Sequence, residues 1–362
     1  MRPVTHVQLY DVARTAHFER IVRSDAATIV LYAERRYDFD SALAARVGAR
    51  RAGVMGAFWF TLRHDIGVLE VAEPLLVRAA PRSLAAIWGA RLRSGIRQTE
   101  LAVVTYAIEN KDPRDGIRTL PLRARLKLRA QHLLVRPLWA SLDRVAFGTS
   151  QAQELYSRLL GGQRADQRLF PALPVAEDGA ADVQVREPVV TFLGEFSERK
   201  GFPHLLRAWP SVKKACPEAR LVLIGKGEGT AEAKELAARD PAVRVEINPP
   251  RTLIFESLRA TKVLALLSQP RPRWREQVGL PIVEALGSGC LVVTSSESGL
   301  APWLEEHGHE VVEEPADVER FSVALIASLT SGRTPAEVIA DLPTKDGRAE
   351  AERWIVTAKV DA

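Results

Sequence analysis

Between Pro188 and Ser296, short β-branched runs alternate with helix-period segments, and no other feature constrains the fold as much. Val189–Leu193, Arg220–Ile224, Val243–Ile247, Lys262–Leu267 and Leu291–Thr294 read as strands that are apolar on both faces. Phe202–Ala215, Ala231–Ala238, Leu253–Ala260 and Leu280–Leu286 read as the helices between them. In the first helix Leu205, Leu206, Trp209 and Val212 fall on one side. A strand with two apolar faces must be covered twice, and helical crossovers run the strands parallel. The pattern predicts a doubly wound α/β domain.

The chain has 362 residues, which is long for one core, so two domains are expected. In the N-terminal half Thr28–Ala33, Val54–Phe60, Ile66–Val71 and Leu101–Ala107 read as strands. Ala80–Leu92 and Leu122–Leu134 read as helices, and Asp143–Ser150 followed by Ala152–Leu160 as a strand-to-helix passage. The segment from Pro171 to Ala181 has the Pro, Gly and polar content of a linker and puts the boundary between Phe170 and Glu187. The expected division is 1–175, 186–345, and a terminal helical stretch, 346–362, that packs back on the first domain. In two open α/β sheets facing each other, a ligand is expected in the central cleft, beyond the carboxyl ends of the strands.

Hydrophobic residues make up 46% and charged residues 26%, values of a globular chain rather than a disordered or fibrous one. The net charge of +5 suits a phosphate-holding protein but does not itself identify nucleic acid or membrane as partner. Cys216 and Cys290 form no CxxC pair, and the first residues lack the apolar core of a signal peptide. No apolar run of about 18 residues is present to span a membrane. These features predict a cytoplasmic protein without a metal centre.

Three loops after strands of the second domain carry convergent chemistry. Gly194-Glu-Phe-Ser-Glu-Arg-Lys-Gly201 places Arg199 and Lys200 at the opening of a helix, a diphosphate site or else a solvated turn. Gly225-Lys-Gly-Glu-Gly229 allows close backbone approach around Lys226, although a plain strand-to-helix turn has the same composition. Glu276-Gln-Val-Gly-Leu-Pro-Ile-Val-Glu284 has glutamates before and inside a helix whose start is shaped by Gly279 and Pro281. The amides of Val278, Gly279 and Leu280 are expected to face an anion or a sugar hydroxyl. Glu284 lies among apolar residues and needs a hydrogen-bonding partner such as a ribose diol, or else faces solvent as a cap.

These stretches resemble the retaining glycosyltransferases of family four, which have the two-domain GT-B architecture. Glu276–Glu284 looks like that family's paired-glutamate signature, Gly194 to Gly201 its phosphate loop, and Leu221-Val-Leu-Ile-Gly-Lys-Gly-Glu228 the strand and loop that follow. Ser295 to Leu300 and the helix Val318–Leu329 fit the rest, so the resemblance covers about Pro188–Ser331. It implies transfer from a nucleoside diphosphate sugar, UDP- or GDP-linked, with retention and no essential metal. Lys200 would contact the diphosphate, together with Gly194, Arg199, Gly225 and Lys226. Glu276 would hold the transferred sugar, the amides after Gln277 would line sugar and phosphate, and Glu284 would hold the ribose. Ile247–Pro249 falls where the base meets the main chain.

The match has gaps. Glu195 stands where the family has an arginine, and Thr28–Asp40 lacks its Gly-rich loop. Tyr106–Asp112 lacks its histidine, and Glu109 is the candidate catalytic group there, or else a loop cap; His64 is a second candidate or a structural histidine. Asp38-Phe-Asp40 reads as a surface turn rather than a metal pair. The segment 122–136, with Arg123, Arg125, Lys127 and Arg129, reads as a membrane-surface or polyanion face or as a solvated helix with snorkelling arginines. The acceptor is left open: glycan, lipid, protein or modified nucleic acid. A catalytically silent nucleotide-sugar-binding module and a sugar-nucleotide epimerase are the rival functions.

Overall fold

The computed structural model describes residues 6–23, 28–36, 39–162, 164–180 and 186–357. It divides the chain into two compact units, 1–148 with 152–170 and 350–362, and 171–349 with 149–151. The first sheet contains β1 (His6–Ala13), β2 (Thr28–Arg35), β3 (Arg50–Arg51), β4 (Val68–Glu70), β5 (Ala102–Ala107), β6 (Arg144–Phe147) and β7 (Asp166–Leu169). Its order is β3-β2-β1-β4-β5-β6-β7, and every pairing is parallel. The second contains β8 (Val189–Glu195), β9 (Arg220–Lys226), β10 (Val243–Glu246), β11 (Val263–Leu266), β12 (Leu291–Ser295) and β13 (Glu310–Val312), ordered β10-β9-β8-β11-β12-β13. Each order reverses direction beside its first strand, as in Rossmann-like sheets.

Successive residues of the first sheet feed opposite faces. Val30 and Tyr32 of β2 join a cluster with Phe18 and Ala44, whereas Leu31 between them joins the cluster of Leu69, Ile87 and Leu138. The helices Val54–Arg63, Ala80–Arg97, Val135–Trp139 and Ser150–Leu160 supply that second cluster. On the other face, β4 to β6 present Val68, Ala102, Val104 and Ala146 to Ala351 and Ile355 of the helix Gly347–Val356. The terminal helix therefore supplies the cover that chain-local helices do not. Gln8 Nε2 donates to Glu70 at 2.8 Å and to Glu352 at 2.9 Å, tying β1, β4 and this helix together.

Two readings of the N-terminal half change. Val54–Phe60 is not a strand; it begins the helix Val54–Arg63, in which Ala57 and Thr61 are buried at a spacing of four. An apolar run that short fits either period, and packing against Ala80–Arg97 decides it. The first strand is β1, not Thr28–Ala33; its polar Gln8 and Asp11 obscured a central strand. The residues after β1 are Arg14-Thr15-Ala16, so that turn also lacks glycine.

The expected linker is not a free tether over its described part. Leu173 is buried in the second core, and the Glu177 N–H donates to the Gly287 carbonyl at 2.8 Å. Of the acidic pair, Asp38 lies outside the described residues, while Asp40 caps a short helix by accepting from the Ala42 and Leu43 amides.

Candidate functional site

The second sheet brings the carboxyl ends of β8 and β9 together, with Gly194 opposite Gly225 and Glu195 opposite Lys226. A Cβ on Gly225 would lie 1.8 Å from the Gly194 carbonyl oxygen, so this approach requires glycine. The loops that follow share one aromatic wedge, Phe196 stacked on Phe202 at 4.5 Å. Glu198–Lys200 makes a single 3-10 turn, and Gly201 then takes a left-handed φ of 74° to start the helix Phe202–Ala215. A Cβ there would meet the Leu267 carbonyl oxygen at 2.1 Å. The turn is also held by the Gln269 N–H, which donates to the Arg199 carbonyl at 2.9 Å. Lys200 is thereby fixed over the end of β11.

Lys200 Nζ forms an ion pair with Glu276 Oε2, and the Ser268 hydroxyl donates to the same oxygen at 3.0 Å. Both side chains are largely buried. The Glu276 main chain is anchored in turn, because its carbonyl accepts from the Gly299 amide at 2.9 Å. Three residues later Gly279, at φ 83°, opens the helix Leu280–Gly287 with Pro281 in its first turn. The Gly279 backbone lies close to the Glu276 side chain, since a Cβ there would be 3.5 Å from Glu276 Cγ. The first-turn amides of a helix lack intrahelical acceptors and carry the positive end of its dipole. A cation, a carboxylate and a helix N-terminus thus meet at one point.

Glu284, one helical turn and a half further on, has a side chain 9% accessible and pairs with Arg251 Nη2 at 2.9 Å. Burial pushes its carboxyl above the usual range, and Arg251 pulls it back. The partner that burial demands is therefore present within the protein. Arg251 begins the helix Arg251–Ala260, directly after Ile247, Asn248 and the two prolines 249 and 250. Asn248 adopts a left-handed φ of 53°, turning the chain out of β10, and Ile247 is exposed. The expected donor residues, from Gly194 to Glu284, thus lie on strand ends, loops and helices at the carboxyl ends of one sheet.

Two contacts were not foreseen. Trp274 lies under both cations, with its ring centroid 4.3 Å from the Arg199 guanidinium and 5.3 Å from Lys200 Nζ. The tryptophan sits just before the paired-glutamate segment, and a solitary aromatic in an arginine-rich stretch gives no sequence signal. Glu195, which stands where the family has an arginine, binds Arg199 at 2.6 Å.

In the first unit Glu109 follows β5, and its carboxylate accepts from the Lys111 amide at 3.0 Å. Glu73 Oε2 accepts from the amides of Ile108 and Glu109 and from the Tyr156 hydroxyl, at 3.0, 2.9 and 3.0 Å. Burial, then the charge of Glu109, pushes the Glu73 carboxyl up to about 8. No motif pointed to Glu73, because its partners lie 35 and 83 residues away. The His64 ring nitrogen meets the Phe60 carbonyl at 2.7 Å, and the ring stacks on Phe60. Among the described residues no three His, Cys, Asp or Glu side chains group as a metal site, and no helix is long and apolar enough to cross a membrane.

Residues 187–331 match the family described as glycosyl transferases group 1. The chain is 25% identical over 291 residues to a D-inositol 3-phosphate glycosyltransferase of Rhodococcus jostii, an alignment covering 75% of this chain and 61% of that protein. It is 27% identical over 218 residues to a GDP-mannose-dependent alpha-(1-6)-phosphatidylinositol monomannoside mannosyltransferase of Mycolicibacterium smegmatis, covering 56% and 57%. The chain thus spans about three fifths of the length of these relatives. Among solved structures, the apo lipopolysaccharide outer core galactosyltransferase WaaB superposes with a TM-score of 0.65 at 13% identity, over 99% and 100% of the two chains. HepE of Anabaena bound to UDP gives 0.63 at 13%, over 97% and 96%. These likenesses show the fold to be GT-B, with two Rossmann-like domains. The second sheet and its loops fall within the stretch that matches the group 1 glycosyl transferases.

Proposed function

We propose that the protein transfers a sugar from a UDP- or GDP-linked donor to an acceptor hydroxyl, with retention and without an essential metal. In this reading 186–345 is the donor domain, 1–175 the acceptor domain, and 346–362 a terminal brace. The observation that carries it is the joint placement of Lys200, Glu276 and the Gly279 helix start at the strand ends. The diphosphate would take Lys200 from Glu276, with Gly194, Gly225, Lys226 and the Val278 to Leu280 amides around it. Glu276, once released and still held by Ser268, would accept from the sugar hydroxyls, with Gln277 beside it. The ribose diol would share Glu284 with Arg251, and the base would lie along Ile247 to Pro249.

Breaking the bond from the anomeric carbon to the diphosphate puts positive charge on the sugar and negative charge on the leaving group. A cation and fixed amides stabilise that charge more in the transition state than before it, which lowers the barrier. Attack by the acceptor hydroxyl on the same face then delivers its proton to the departing phosphate. Glu109, positioned by Glu73, is the acceptor-side group. The free, buried Cys216 and Cys290 support a cytoplasmic location. Peripheral lipid contact belongs to residues 122–133, where Leu122, Leu126 and Leu133 are exposed among basic side chains; Val135 is buried in the core.

The rival reading, a domain that binds donor without turnover, is favoured by one contact, the Glu195–Arg199 pair across the phosphate loop. Thermal-shift titration with UDP, UDP-sugars and GDP-sugars, followed by donor-hydrolysis and transfer assays, separates the two. A donor-dependent shift with slow sugar release that Glu276→Ala abolishes supports the transferase. Binding without turnover supports the silent module, isomerised donor without acceptor supports an epimerase, and no shift with any nucleotide sugar ends the proposal.

A further inference from the structure

The helices Val54–Arg63 and Ala80–Arg97 carry a surface that the donor chemistry does not use. They cross tightly at Gly89, where a Cβ would lie 2.4 Å from both the Phe58 carbonyl oxygen and Thr61 Oγ1. Arg93 Nε meets Asp65 Oδ1 at 2.7 Å further along the seam. Their inner sides are core, with Ala57, Leu84, Ile87 and Ala90 buried. Their outer sides are not polar. Trp88, Leu92 and Ile96, four residues apart, are 65%, 52% and 67% exposed, and Met55 and Trp59, also four apart, are 63% and 45% exposed. A spacing of four stacks each set on one side of its helix. Trp59 and Trp88 each adjoin a residue of the Gly89 contact, so the two indoles flank the same seam.

The charges on these helices have one sign. Neither contains Asp or Glu, and together they hold Arg63, Arg82, Arg91, Arg93 and Arg97. Arg82 is buried, while Arg63, Arg91 and Arg97 are exposed beside the apolar rows. The Arg63 guanidinium lies 5.5 Å from the Trp59 ring centroid. Arg50 and Arg51 of β3, which leads into the first helix, are exposed as well. Contiguous apolar exposure marks an interaction site, and indoles with arginines beside aliphatic side chains suit the headgroup boundary of a bilayer. A second copy of the chain on this face would set arginine against arginine, because neither helix has a carboxylate and the adjoining Asp65 is already paired with Arg93 and Arg97. Anionic headgroups supply the missing charge.

We propose that this face docks on an anionic phospholipid bilayer. Trp59, Trp88, Leu92 and Ile96 enter the headgroup boundary, and Arg63, Arg91 and Arg97 meet lipid phosphates. It is a second lipid surface beside that proposed for 122–133, and it does not depend on the sugar-transfer reading. The test is co-sedimentation with vesicles of phosphatidylcholine, with and without one third phosphatidylglycerol. The full chain is expected to bind only the anionic vesicles, and Trp88→Ser with Leu92→Ser to lower the partition coefficient about tenfold or more. Melting temperature and any UDP-induced shift should stay unchanged in that variant. Brominated acyl chains should also quench the tryptophan emission of the unaltered protein, a readout that remains if the variant fails to fold. Absence of vesicle binding, equal binding by the variant, or lack of quenching overturns the proposal. So does loss of binding only on Leu122→Ser with Leu126→Ser, or a dimer that the Trp88 variant dissociates.

Discussion

Single residues set the charge state of the candidate site. Lys200 and Glu276 neutralise each other at the strand ends, so neither is an isolated buried charge, which would be costly. Glu276→Ala is expected to leave Lys200 buried without its carboxylate, lowering thermal stability while abolishing sugar release. The Glu195–Arg199 pair is the opposite case, since both side chains are substantially exposed and such pairs contribute only about 0.2–1 kcal/mol. Glu195→Ala should therefore cost little stability. It should free Arg199 for an anion, and UDP should bind about two- to fivefold tighter by calorimetry; weaker binding would remove Arg199 from the donor site. Glu73 carries a pH signature. Its carboxyl titrates near 8 when folded against 4.5 as its ordinary value, so the folded state holds the extra proton in between. Stability is thus expected to fall as pH rises from about 4.5 to about 8, and Glu73→Gln should flatten that slope in melts recorded across the range.

At the scale of elements, a few backbone approaches decide how loops and helices sit. Gly201 combines a left-handed φ with a Leu267 carbonyl where a side chain would go. Gly201→Ala should cost about 3 kcal/mol or more, lowering the melting temperature and displacing Lys200, so that UDP binding falls with it. The helices of the second half were legible because their apolar residues recur at helical spacing between strands with two apolar faces. Phe202–Ala215 has the bounds that its pattern predicts. Val54–Arg63 was not legible, because the short apolar run Val54–Phe60 satisfies both periods until a neighbouring helix selects one. Strand β1 was missed for the converse reason. His6 and Gln8 are polar yet buried, and Gln8 is satisfied by Glu70 and Glu352 from segments far along the chain.

Across the whole molecule, local pattern was enough for the doubly wound second domain, its glycine-bearing loops, and the spacing that puts Glu276 before a helix and Glu284 inside it. Those follow from periodicity and turn chemistry, which act over a few residues. Tertiary structure alone decided which charges meet, because Lys200 and Glu276 are 76 residues apart and Arg251 and Glu284 are 33 apart. It also decided that the last helix covers β4 to β6, bringing Ala351 and Ile355 onto Val68 and Ala146. Burial of that face needs a partner from elsewhere in the chain, and no local rule names it.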